Sequence, residues 1–164
     1  MLRHEFTPSP RPCPHASRGF TLVEVVIVLF MAAVVAALAA PYLRSFIVQQ
    51  NIRNASYELM SDLTYARSEA VKRNASVTVS KVGGTWSGGW TVAAGATTLR
   101  QHPAFPTSIT VEMTNPSVDF YLNGRASVTA AYTIDDAGGL ASIPAQCVSV
   151  DPAGRPRSST GSCP

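Results

Sequence analysis

Three textures follow one another along the chain. Through residue 17 it is polar and broken by Pro8, Pro10, Pro12 and Pro14. Each ring removes an amide donor, so no regular helix can form there and the stretch predicts a flexible leader without fold. From Phe20 to Ala40 run 21 residues with a single charge, Glu24. At a rise of about 1.5 Å per helical residue they match a hydrocarbon core about 30 Å thick, which predicts a membrane anchor. Pro41 predicts a kink where the helix leaves the bilayer, with the helix continuing beyond it. Ile52, Ala55, Leu59, Leu63, Ala66 and Ala70 then recur every three or four positions. Arg53, Glu58, Asp62, Arg67, Glu69 and Lys72 fall mostly elsewhere, so an amphipathic helix is predicted to end near Asn74 and to pack on a sheet. From Ser76 the pattern changes to short alternating or β-branched runs: 76–82, 90–94, 108–114, 118–122, 127–134 and 146–150. Glycine and asparagine pairs punctuate them, which predicts antiparallel sheet and an α+β domain.

The junction between leader and anchor reads Arg18-Gly19-Phe20-Thr21-Leu22-Val23-Glu24-Val25. A secretory signal peptide carries its cleavage site after the apolar run, whereas this Arg-Gly pair precedes it, so cutting at Gly19 keeps the helix. A carboxylate inside an apolar span costs about 3 kcal/mol or more unless it is paired. Removing residues 1–19 exposes a cationic amine on Phe20, and the amine of a neighbouring subunit is the most useful partner for Glu24. The junction resembles that of the type IV prepilins and type II secretion pseudopilins. The resemblance implies a prepilin peptidase that cleaves after Gly19 and methylates the amine of Phe20. It also implies a filament in which the helix, with Glu24 in the assembly role, bundles with other minor and major pilins. The expected organisation is a leader over 1–19, a transmembrane and polymerisation helix over 20–41, and an exported globular domain over 42–164. The expected location is the bacterial inner membrane, single-pass with a periplasmic C-terminal domain, and then a pilus or pseudopilus.

Charge adds little to this. The formal charge of +3 includes three leader arginines against one glutamate, so the rest of the chain is close to neutral and overall basicity supports no nucleic-acid claim. The leader's positive residues favour a cytoplasmic N-terminus. Three cysteines are an awkward number for an exported protein. Cleavage would remove Cys13 and leave Cys147 and Cys163 in an oxidising space, where a disulfide between them is expected to persist.

Trp86-Ser87-Gly88-Gly89-Trp90 and Phe120-Tyr121-Leu122-Asn123-Gly124 resemble the W-x-x-G-W hairpin and F-x-x-x-G turn of the GspH/FimT-type minor pilins. No catalytic constellation accompanies them, so an enzyme is not expected, nor is a cofactor or metal. His102 reads as a lone surface histidine beside Pro103, and Asp135-Asp136 as turn chemistry.

The C-terminus offers the remaining chemistry. Asp151-Pro152-Ala153-Gly154 has turn-forming residues at favoured places, and Pro156 pushes Arg155 to an extended conformation. Arg155 and Arg157 would then present planar, permanently charged forks suited to phosphate. Gly154-Arg155-Pro156-Arg157 also resembles the G-R-x-R element of those family members implicated in DNA uptake during natural transformation. That resemblance implies non-specific binding of double-stranded DNA through Arg155 and Arg157, with Lys81, Arg100 and Arg125 as candidates to widen the patch. The other class of reading is structural: a type II secretion pseudopilin, or a minor pilin that primes assembly without binding DNA.

Overall fold

The computed structural model describes residues 19–140 and 142–164. One helix, α1 (Leu22–Arg73), precedes eight strands: β1 (Val77–Val82), β2 (Thr85–Ala94), β3 (Thr97–His102), β4 (Ile109–Glu112), β5 (Ser117–Phe120), β6 (Ala130–Asp136), β7 (Gln146–Val150) and β8 (Pro156–Thr160). The strands form two four-stranded antiparallel sheets, ordered β3-β2-β1-β5 and β4-β6-β7-β8. The architecture is the expected α+β class, with two sheets where the sequence suggested sheet in general. The chain divides into two compact units, one ending at Ala40 and the other running from Pro41 to Pro164.

In the first unit Thr21 starts α1. Its hydroxyl accepts the Glu24 amide at 3.2 Å, satisfying a donor that has no partner within the helix, and its carbonyl accepts the Val25 amide at 3.2 Å as the first helical bond. Leu22–Ala39 is long and apolar enough to cross a membrane, and none of it is buried. α1 carries on through Pro41 and ends at Arg73, where Asn74 takes a left-handed φ of 51°.

In the second unit the helical stripe forms the core. Ile52, Ala55, Leu59, Leu63, Ala66 and Ala70 are completely buried, in one cluster with Val77, Val79, Val118 and Phe120 of the first sheet and Tyr132, Ile134, Val148 and Val150 of the second. Each buried leucine or isoleucine is worth about 1.5–3 kcal/mol. Asp62 and Glu69 join the buried set, contrary to their expected place on the polar side. They stand seven residues apart, two helical turns, and so share the flank of the stripe. Each is satisfied where it lies. Asp62 accepts Trp90 Nε1 at 2.9 Å and Arg100 Nη1 at 2.5 Å, while Glu69 accepts Arg73 Nε at 2.6 Å.

The paired tryptophans are fixed by close backbone approach. At Gly89, with φ 93°, a Cβ would stand 2.3 Å from the His102 carbonyl oxygen, so only glycine lets β2 and β3 meet there. Trp90 is buried and stacks on His102 at 4.1 Å, while Trp86 meets Tyr132 edge-on at 4.9 Å. Ser87 accepts the Val111 amide at 2.8 Å and joins β2 of one sheet to β4 of the other. The Tyr132 hydroxyl is buried with no partner among the described residues, and burial pushes its pKa up.

Two strands depart from expectation. β3 reads Thr-Thr-Leu-Arg-Gln-His, largely exposed and without an apolar alternation, and β8 reads Pro-Arg-Ser-Ser-Thr, with no large apolar residue. Both are edge strands, held by backbone pairing to one neighbour, and so need no buried face.

Candidate functional site

The C-terminal hairpin joins β7 to β8 through the Asp151–Gly154 turn. The Gly154 amide donates to the Asp151 carbonyl at 2.8 Å, and the Asp151 amide donates to the Arg155 carbonyl at 3.2 Å. The Asp151 carboxylate caps the turn from within: Oδ1 accepts the Arg155 amide at 2.9 Å, and Oδ2 accepts Arg155 Nε at 3.2 Å. The Arg155 amide, with the guanidinium beside it, holds the Asp151 carboxyl below the usual carboxylate range. Arg155 is therefore already paired, whereas the sequence suggested two unengaged forks. Its Nη groups make no hydrogen bond among the described residues, and its side chain is 60% exposed.

Arg157 follows on β8, opposite Ser149, exposed and with no ion pair among the described residues. Side chains alternate along the strand, so Arg157 points away from the face on which Ser158 meets the Ser56 hydroxyl of α1 at 3.0 Å. A disulfide from Cys163 to Cys147, with Cα atoms 5.0 Å apart, ties the chain beyond β8 to β7, and the Cys163 amide donates to Thr133 Oγ1 at 3.2 Å. The segment that carries Arg157 is thus a paired strand, cross-linked just beyond its end.

The hairpin rests on a second turn. Gly154, with φ 73°, approaches so closely that a Cβ would lie 2.0 Å from the Gly124 carbonyl oxygen. Gly124 belongs to the Tyr121–Arg125 turn, closed by Gly124 N to Tyr121 O at 2.8 Å and Tyr121 N to Arg125 O at 2.9 Å. The same Gly124 carbonyl accepts Arg67 Nε of α1 at 3.0 Å. Arg125, exposed, and Arg67, half-buried, are thereby carried to the ground of Arg155.

The other two candidates lie elsewhere. Arg100 sits on β3, at the far edge of the first sheet from β5, paired with Asp62 and 4.1 Å above the Tyr65 ring. Lys81 is at the end of β1 opposite the residue that pairs with Phe120, beside an open groove of about 570 Å³ that Cys163 and Pro164 also line. His102 is not a surface histidine: its side chain is 15% exposed, with Nε2 3.0 Å from Glu58 Oε2 and Nδ1 2.8 Å from the Pro103 carbonyl oxygen. Arg67 escaped the sequence reading because the polar face of a helix offers no sign of which arginine meets a turn 57 residues away.

At the N-terminus Gly19 and Phe20 are exposed and precede the helix, and Glu24 lies in its first turn. Residues 1–18 of the leader, Cys13 among them, lie outside the described residues.

An apolar first half of a long helix, whose second half lies under antiparallel sheets, defines a pilin-like subunit. Residues 55–154 match the family described as Type II transport protein GspH, and residues 14–40 match the prokaryotic N-terminal methylation motif. The chain belongs to the GspH family. Among solved structures it is similar to the type IV minor pilin FimU of Pseudomonas aeruginosa. One crystal form gives 25% identity and a TM-score of 0.59 over 68% of this chain and 90% of that one, and another gives 25% and 0.57 over 65% and 91%. The minor pseudopilin EpsH of the Vibrio cholerae Type 2 Secretion System shares the fold at 11% identity, with a TM-score of 0.55 over 67% of this chain and 97% of that one. No curated protein matches the sequence. The methylation motif implies processing by a prepilin peptidase, membrane anchoring and assembly with other pilins.

Proposed function

We propose that this protein is a minor type IV pilin that holds double-stranded DNA, without sequence preference, through its C-terminal hairpin during DNA uptake. The observation that carries the reading is the exposure of Arg157 on an edge strand, two residues from the partly exposed Arg155, whose turn packs on the turn that Arg125 ends and Arg67 donates into. Guanidinium forks suit phosphate oxygens, and phosphate contacts carry no sequence information. Asp151 offsets one charge, so the contact is weak, at Kd values of about 10⁻⁴–10⁻⁶ M at physiological salt.

Assembly follows the same reading. Cleavage after Gly19 frees the Phe20 amine, which becomes methylated and pairs with Glu24 of an adjacent subunit. The anchor crosses the inner membrane once, leaving residues 42–164 outside the cytoplasm. Mass spectrometry of the cellular protein should find a chain beginning at Phe20, and Glu24→Ala should spare membrane insertion while impairing incorporation into filaments.

The decisive experiment is a mobility shift of the soluble domain with unrelated duplexes over a salt series. Binding should fall with salt at a slope near −0.9 per phosphate neutralised, and replacing Arg155 and Arg157 by glutamine should remove most of it. A wild-type domain that gives no shift at low salt favours the second reading, a structural pseudopilin. The family match and the fold shared with EpsH support that alternative.

A further inference from the structure

We propose that the Tyr121–Arg125 turn is a second wall of the DNA site and that Tyr121 is a platform for an unpaired base, so the site favours single-stranded DNA and frayed ends over blunt duplex. The inference rests on the DNA-binding reading above and deepens it. Phe120 is buried, and alternation along β5 turns the next residue outward, leaving Tyr121 48% exposed and Leu122 55% exposed. Val71 of α1 is 53% exposed, and its Cγ2 lies 3.3 Å from the place a Cβ on Gly124 would take. These three side chains crown one tight turn. Arg125 ends that turn, Arg67 donates into it, and the turn before Arg155 packs on it.

Exposed aromatic surface within a cationic surround is the combination that binds single strands, because every base has a face to stack and every phosphate a charge to meet. A purely cationic patch would not need the ring. The turn is also held in advance. Its two internal hydrogen bonds, the Phe120–Ala126 bridge, the Arg125 amide bond to Asn123 Oδ1 at 3.0 Å and the seat of Gly154 all fix the backbone that presents Tyr121. Little ordering therefore remains for binding. The nearest carboxylate along the strand, Asp119, is engaged by Thr78 Oγ1 at 2.6 Å.

Stacking of one base corresponds to roughly a fivefold to hundredfold change in affinity on loss of the ring. The test is fluorescence anisotropy of a labelled single-stranded 12-mer, a blunt duplex and a duplex with a 3′ overhang against full-length protein in detergent. Wild type should bind the single strand and the overhang at least fivefold more tightly than the blunt duplex. Tyr121→Ala should erase that preference by weakening binding of the single strand and the overhang at least fivefold, and Tyr121→Phe should keep it. Equal affinities for all three probes in wild type, or a preference that survives Tyr121→Ala, overturns the inference and leaves phosphate binding standing. If the Arg155→Gln, Arg157→Gln variant binds every probe like wild type, the underlying DNA reading fails as well.

Discussion

Gly154→Ala tests whether the hairpin and the Tyr121–Arg125 turn are one structure. An alanine there meets two penalties. A left-handed φ of 73° costs a non-glycine residue about 1–2 kcal/mol, and its Cβ would stand 2.0 Å from the Gly124 carbonyl oxygen. That oxygen is backbone, held by Arg67 at 3.0 Å, so the turns must part by more than an ångström. Parting them strains the Asp151–Gly154 turn bond and the Arg67 bond, the latter worth about 1.5–3 kcal/mol as a bond from a charged group. Lower entropy of the unfolded alanine chain returns about 0.4–1 kcal/mol. The expected net loss is about 3 kcal/mol. Gly95→Ala supplies the control, because its φ of 58° is also positive but no atom lies within 4 Å of its Cβ position. It should cost about 1 kcal/mol at most. Urea unfolding of residues 41–164, the unit that holds the core, can be followed by fluorescence, since Trp86 and Trp90 are buried and become exposed on unfolding. Midpoints for the two variants that agree within about 0.5 kcal/mol would refute the close approach of the two turns. Weakened DNA binding by Gly154→Ala should accompany the loss.

Three further outcomes are expected. Reducing the Cys147–Cys163 bond, or replacing both cysteines by serine, opens a loop 16 residues apart in sequence and should cost about 3 kcal/mol, read as a lower urea midpoint and faster exchange of β8 amides; unchanged exchange would separate β8 from the disulfide. Tyr132→Phe removes a buried hydroxyl that has no partner among the described residues and should raise stability by about 1 kcal/mol, so a variant clearly less stable than wild type would show that the hydroxyl is satisfied in solution. Hydrogen bonds from Arg73 to Glu69 and from the Arg155 amide to Asp151 hold both carboxyls below their ordinary values of 4.5 and 3.8. Stability from such depressed groups is complete above those values and is lost as pH falls through the lower folded-state ones, so unfolding midpoints should be flat from pH 7 to 5 and decline below about 4.5. Glu69→Gln with Asp151→Asn should flatten that decline; an unaltered acid limb would assign it to other groups.

The long helix and most of the sheet were legible because burial leaves a period in the sequence. Six stripe residues of α1, at spacings of three and four, are all at zero exposure. β3 and β8 were not legible, since edge strands draw their hold from backbone bonds that any side chains permit. Asp62 and Glu69 lie three residues past stripe members, Leu59 and Ala66, but so does Glu58 past Ala55, and it stays exposed, so the spacing alone does not tell which carboxylate is buried and must find a donor. Which donor it finds, Trp90 and Arg100 for one and Arg73 for the other, depends on strand placement. The arginine site was half visible. Arg155 and Arg157 stand in a recognisable element, but the bond to Asp151 arises only once the turn closes, and the approach of Arg67 and Arg125 only once two distant glycines touch.

β8 also leaves one row of amides and carbonyls unpaired among the described residues. The register that bonds Asp151 to Arg155 and Ala145 to Gly161 points the backbone amides and carbonyls of Ser158 and Thr160 away from β7, an open template on which another chain could add a strand. Pro156 offers no amide at the start of that row, and Arg157 sets a charge in its middle, two devices that discourage edge-to-edge growth. In a filament, where identical or related domains are held at high local concentration, such protection matters more than in dilute solution. The arginine proposed above to meet phosphate thus has a second part to play, in discouraging growth through the sheet edge. Substitutions that neutralise Arg157 carry an aggregation risk separate from any loss of DNA, and a glutamate there would keep the guard while reversing the ligand preference.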